Sequence, residues 1–130
     1  MKDLAISLAK LIANCCTTWS VRSALYSDSL TVTGVFIFPA DFPAFTGHFP
    51  GKPILPAIIQ LAAVSYLADL AVGENIRPQQ YNRAKFKTIV QPGDEIHIEL
   101  KMDCHESIWT GAFSLRQKNG EFVSSGSVQY

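Results

Sequence analysis

Charge is scarce in this sequence. Asp, Glu, Lys and Arg make up 17% of the residues, eleven acids against eleven bases, for a formal net charge of zero. A neutral chain has no field to draw in a phosphate backbone or an anionic bilayer, so neither nucleic acid nor membrane is an expected partner. Cysteine is scarce too: Cys15 and Cys16 are neighbours and Cys104 stands alone. No Cys-x-x-Cys or Cys/His ligand spacing occurs. That excludes a disulfide framework and a zinc site, and points to free thiols in a reducing, cytoplasmic compartment with no metal and no cofactor. Hydrophobic runs of bilayer length are missing. The longest, Pro56 to Val72, has seventeen residues with Asp69 near its end, whereas a span needs about 20. There is no repeat and no low-complexity segment.

Apolar residues are plentiful, at 48% of 130. The length suits one domain over residues 1–130 with a proper core. So much apolar surface under so little charge favours an oligomer over a monomer.

The chain is organised around Thr46-Gly47-His48-Phe49-Pro50-Gly51-Lys52-Pro53-Ile54-Leu55-Pro56-Ala57 and the apolar run after it. Three prolines, Pro56 included, and two glycines in these twelve residues make a rigid, sharply turned loop. Pro56 suits a first helical position and Gly73 a C-terminal stop, so Pro56 to Val72 is predicted as a helix. It has no polar face, only Gln60, Ser65, Tyr66 and Asp69 as interruptions, and so reads as a buried helix.

Ahead of the loop, Met1 to Cys16 is mildly apolar. Asp3, Lys10 and Asn14 argue against a signal sequence, while Leu4, Leu8, Leu11 and Ile12 have helical spacing. Strands are predicted over Trp19 to Tyr26 and Leu30 to Phe38, with a turn at Ser27-Asp28-Ser29. The long loop from Pro39 to Leu55 is expected to be functional. After the helix come strands at Arg83 to Val90, Glu95 to Met102, Ile108 to Arg116 and Glu121 to Tyr130. A type II turn is expected at Pro92-Gly93-Asp94 and a hairpin at Lys118-Asn119-Gly120. Ile96, Ile98 and Leu100 alternate with His97, Glu99 and Lys101, as in a half-buried strand. The expected architecture is α+β: an antiparallel sheet of five or six strands curled around one long helix.

The segment Gly47-His48-Phe49-Pro50-Gly51-Lys52-Pro53-Ile54-Leu55-Pro56 resembles the active-site loop of the hot-dog-fold 3-hydroxyacyl-(acyl carrier protein) dehydratases of type II fatty acid synthesis. That family's pattern, Gly-His-Phe-Pro-x-x-Pro-x-Met/Leu-Pro-Gly, also runs into a helix. Phe86-Lys87, Val90 and Pro92-Gly93-Asp94 are similar to its strand-and-turn segment, and order and spacing agree over roughly residues 30 to 100. Ile54 to Leu61 also resembles a dehydratase-like branch of aryl polyene and related carrier-protein pathways. The resemblance implies a hot-dog fold, a dimer, and a substrate carried as a thioester of acyl carrier protein or coenzyme A.

It also implies two acid–base residues at a dimer interface: the loop histidine, matched by His48, and a helix carboxylate fourteen residues on, where this sequence has Ala62. The family's helix-start glycine is Ala57, and its glutamine one turn past the carboxylate is Tyr66. A histidine with a pKa near about 6.5 suits removal of a C2 proton. The Ala57 and Ile58 N–H groups at the helix start suit the thioester oxyanion. Phe49, Gly51, Ala62 and Tyr66 are expected to line the substrate. Alanine at 62 cannot protonate the leaving hydroxyl. On a helix Gln60 lies about 200° around from Ala62, while Ser65, Tyr66 and Asp69 share its face, Asp69 about 10 Å along the axis. Tyr66 is either a substitute acid or a filler of space; Asp41, close to His48 in sequence, is a further candidate. The alternatives are a carboxylate given by another hot-dog subunit, a non-catalytic acyl-binding subunit, or a hot-dog thioesterase. His97 and His105 are expected at the surface, as are Lys52, Lys85 and Lys87, which are also candidates for meeting a carrier protein.

Overall fold

A computed structural model describes residues 2–23, 28–45, 51–73 and 76–130, with side chains from Leu8 onward. The predicted N-terminal helix forms as α1 (Lys2–Cys15) and runs directly into strand β1 (Cys16–Ser23), which starts three residues before the expected Trp19. Tyr26 and Ser27, placed in the first strand and its turn, lie outside the described residues, as does the side chain of Leu4. Strand β2 (Ser29–Ile37) and helix α2 (Ala57–Val72) follow. The second half supplies β3 (Gln80–Phe86), β4 (Glu95–His105), β5 (Ile108–Gln117) and β6 (Phe122–Gln129). All six strands join one antiparallel sheet in the order β1-β2-β4-β5-β6-β3, which leaves β1 and β3 as the edges.

The sheet buries one face, because alternation puts every second side chain on that side. Val32 and Phe36 of β2, Ile96, Ile98, Leu100 and Met102 of β4, and Phe113 and Leu115 of β5 are all buried. Against them lies a stripe of α2 at Ile59, Gln60, Ala63, Val64, Leu67 and Ala68. The sheet and helix approach closely at Gly34, where a Cβ would come within 2.7 Å of Leu67 Cδ2. A larger residue there would have to displace a packed leucine. The helix is not buried all round as its composition suggested: Ile58 is 69% exposed. The absence of a polar face thus marks surfaces beyond the sheet contact.

Two boundaries shift for local reasons. Pro56 sits one residue before α2, extended at φ −60° and ψ 147°, rather than at its first position. Strand β3 starts at Gln80, not Arg83, because Gln80, Tyr81 and Asn82 already pair with Gln129, Val128 and Ser127 of β6; the chain then bulges at Arg83 (φ 54°) and the register breaks between Asn82 and Lys85. The remainder of the predicted strand, residues 87–90, leaves the sheet, although the Lys87 N–H still donates to Val123 O at 2.8 Å. The Gln91–Asp94 turn closes as expected, with Asp94 N–H donating to Gln91 O at 3.1 Å and Gly93 at φ 85°.

Candidate active site

His48 and Phe49, with Thr46, Gly47 and Pro50, lie outside the described residues. The two roots of their loop are on firm ground. On one side, Phe36, Phe38, Phe42 and Phe45 form a chain of ring contacts with centroids 6.0, 5.1 and 6.3 Å apart. Each such pair contributes about 0.5–1.5 kcal/mol beyond area burial. Phe45 closes a 3-10 turn (Pro43–Phe45) inside what the sequence suggested was an unstructured loop. On the other side Leu55 is buried and its N–H donates to Val90 O at 2.8 Å. The described chain is thus anchored in the core at Phe45, before the histidine's segment, and again at Leu55, just ahead of α2. Between these, Gly51 is exposed at φ 83° and Lys52 is exposed.

The mouth of α2 is left open. Four N–H groups at a helix start have no intrahelical acceptor. Pro56 O takes two of them, Ile59 N–H at 3.0 Å and Gln60 N–H at 3.4 Å, and no side chain caps the helix. The Ala57 and Ile58 N–H groups have no acceptor among the described residues. Ala57 is exposed and borders a cavity of about 140 Å³ lined by Ile54, Gln60, Phe86, Thr88 and Ile89 among others. Helix-end amides of this kind favour a negatively charged oxygen.

Ala62 and Tyr66 are elsewhere. With Asp69 they line a second cavity of about 190 Å³, whose other wall is Leu8, Ala9 and Ile12 of α1. The three share one helix face, as the spacing required, and Gln60 is on the other side. Tyr66 packs edge-on against Phe36, ring centroids 6.2 Å apart. Burial pushes its phenol above the usual range, with a smaller contribution from Cys16. A phenol shifted upward is a poorer proton donor, which suits the space-filling role better than the acid role. Asp69 is also pushed up, chiefly by burial, while the Ile76 N–H donating to its Oδ1 at 3.2 Å works in the opposite direction. The carboxylate in this cavity is thus already engaged in closing the chain after α2. Within one chain, then, the helix mouth and the Ala62 face open into different cavities.

The surface assignments fit the described geometry: His97 is half exposed and its Nε2 meets Glu95 Oε2 at 2.8 Å, while His105, Lys52, Lys85 and Lys87 are exposed. No group of three or more His, Cys, Asp or Glu side chains suited to a metal ion occurs among the described residues. No described helix is long and apolar enough to cross a membrane. Sequence reasoning passed over Gln60 and Ser124, the buried polar pair described below. The available signal was an amide three residues after Ala57 in an otherwise apolar helix.

Antiparallel strands packed on one long helix define a hot-dog protein. Solved structures share the fold. They include a putative thioesterase, yhdA, from Lactococcus lactis (TM-score 0.71, 16% identical, covering 91% of this chain and 94% of that one). The dehydratase heterocomplex ApeI:P from Xenorhabdus doucetiae is another (TM-score 0.65, 20% identical, 88% and 94% covered). Among curated relatives, the 3-hydroxyacyl-[acyl-carrier-protein] dehydratase FabZ of Rickettsia massiliae is 33% identical over 81 residues, 56% of each chain. This chain therefore spans just over half the length of the curated relatives it matches. The ApeI-like family, described as ApeI dehydratase, matches residues 25–127, and the chain belongs to it.

Proposed function

We propose that this chain, as one hot-dog domain over residues 1–130, takes part in removing water from 3-hydroxyacyl thioesters held on an acyl carrier protein, in fatty acid or polyene-type synthesis in the cytoplasm. His48 takes the C2 proton, and the C–H electron pair becomes the C2–C3 double bond. The C3–O bond breaks, and the hydroxide leaves as water once protonated. Charge that builds on the thioester oxygen meets the Ala57 N–H, with Ile58 beside it. The observation that carries the reading is the pair of helix-mouth N–H groups with no acceptor among the described residues, at the start of the helix that follows the His48 segment in sequence. Phe49, Gly51, Ala62 and Tyr66 line the substrate in this reading.

Ala62 favours a second element: the acid comes from another hot-dog subunit, and the chain works as part of a dimer, homomeric or mixed. Three exposed apolar residues support an interface at the helix mouth, Ile58 at 69%, Ile89 at 51% and Phe86 at 42%, the last on edge strand β3. Apolar residues on an unpaired edge need a cover. The solved ApeI:P heterocomplex is a precedent for a two-chain dehydratase.

The test is hydration of an enoyl thioester, the reverse reaction, by the purified chain with and without its co-purifying subunit. His48→Ala is expected to lower the rate by about 10²–10⁴-fold, and Ala62→Glu to raise it where the acid alone is missing. Unchanged turnover in His48→Ala would refute the assignment. Free thiol released from an acyl thioester would mark a thioesterase instead.

A further inference from the structure

Gln60 plays no part in the chemistry above, yet it is buried at 4% exposure and bonded to another buried polar residue, Ser124 at 0%. Ser124 Oγ donates to Gln60 Oε1 at 2.8 Å. That bond occupies the acceptor end of the amide and so fixes which way the group faces. The donor end, Nε2 with two N–H groups, has no acceptor among the described residues. The donor end is not sealed off: among the described residues the side-chain polar atom buried without a partner is Tyr130 Oη, so Gln60 Nε2 keeps some accessible surface. Gln60 is also three residues beyond Ala57, on the same helix face, and helical side chains lean toward the N-terminus. Its amide therefore tips back under the open first turn, and both residues border the same cavity of about 140 Å³.

The rest of that cavity sharpens the chemistry. Its lining holds no carboxylate, and the Thr88 hydroxyl is already given to Phe122 O at 2.8 Å. What remains are donors: the Ala57 N–H and the Gln60 amide, with Lys87 at the rim. Such a set suits a ligand oxygen rich in electron density.

We infer that Gln60 Nε2 is a second hydrogen-bond donor to the thioester carbonyl oxygen, beside the Ala57 N–H, and that Ser124 is the positioning residue that holds the amide in that orientation. The inference rests on the dehydratase reading and adds to it a substrate-binding residue. A side-chain donor fixed by a buried hydroxyl is preorganised, so it gains most as negative charge grows on the oxygen.

The test reads the carbonyl directly. Infrared spectra of a carbonyl-13C enoyl-pantetheine thioester are taken bound to the full chain with its co-purifying subunit, as wild type, Gln60→Met and Ser124→Ala. Hydration kinetics and thermal unfolding are measured on the same samples. Wild type is expected to lower the carbonyl frequency relative to free thioester. Gln60→Met should reverse part of that shift and lower kcat on the order of 10²-fold with little change in KM. Ser124→Ala should move both readouts the same way by less, and it carries the test should Gln60→Met fail to fold. A loss of thermal stability with frequency and kcat unchanged would make the pair structural only and overturn the inference, leaving the dehydratase reading intact. A wild type that neither binds nor hydrates the thioester overturns both.

Discussion

The two ends of α2 are built in opposite ways. At the C-terminal end the chain satisfies itself. Gly73, left-handed at φ 79°, donates its N–H to Asp69 O at 2.9 Å, and the Asp69 side chain takes the Ile76 N–H. One turn back, Ser65 Oγ and Tyr81 Oη are 3.5 Å apart. At the N-terminal end Pro56 offers no side-chain cap, and two N–H groups find no acceptor among the described residues. A Ser, Thr, Asp or Asn there would typically add about 0.5–2 kcal/mol. The helix does without it because Ala63, Val64, Leu67 and Ala68 are wholly buried. Stability comes from the middle and the far end, which leaves the near end free for a ligand.

The most severe way to break this contrast is Ala57→Pro. Proline fits a first helical position, and Pro56 already has the extended backbone that must precede a proline. The fold should survive while one N–H is lost. Enoyl-thioester hydration is expected to fall by about 10²–10³-fold, with an unfolding midpoint close to wild type. A normal rate would mean that the open end does not hold the oxyanion.

Gly73→Ala probes the closed end. An alanine forced into the left-handed region should cost about 1–2 kcal/mol, measured by urea unfolding, with the rate per folded molecule unchanged. If this variant lost turnover while keeping its stability, the division of labour between the ends would be wrong.

Asp69→Asn is the mildest. Burial raises the Asp69 carboxyl above its ordinary value of 3.8, so the folded protein holds this proton more tightly than the unfolded chain. Stability from this group is therefore highest at low pH and declines as pH rises from about 3.8 through the raised folded value, then levels off. The asparagine keeps an oxygen for the Ile76 N–H and loses the titration. Urea midpoints across that window should show a decline in wild type that is shallower in the variant. Parallel profiles would show that Asp69 is not effectively desolvated.

Much of the fold was legible before any coordinates. The alternation of Ile96, Ile98 and Leu100 reports a two-residue period that only a half-buried strand produces. Gly93 after Pro92 announces its turn, and the β5–β6 hairpin closes around Asn119-Gly120 as expected, with Gly120 at φ 91°. Arg83 was misread because nothing in an arginine signals a bulge; the β3–β6 pairing imposes it. The ring contacts from Phe36 to Phe45 were invisible because those residues sit in a strand, a loop and a 3-10 turn. For the proposed site, His48 and Ala57 come from the loop motif alone, and His48 lies outside the described residues. Gln60 was not readable there, since its partner Ser124 is 64 residues away.

Local sequence settled what depends on neighbours along the chain: the strand periods, the turns, the apolar helix, the absence of a carboxylate at Ala62. Tertiary structure alone decided which donors stay unmatched. Whether the Ala57 N–H and the Gln60 amide are free depends on every polar group, donor or acceptor, that folding brings near them. Pro56 O, Ser124 Oγ and the walls of two cavities come from separate parts of the chain, and no reading of one segment can count them.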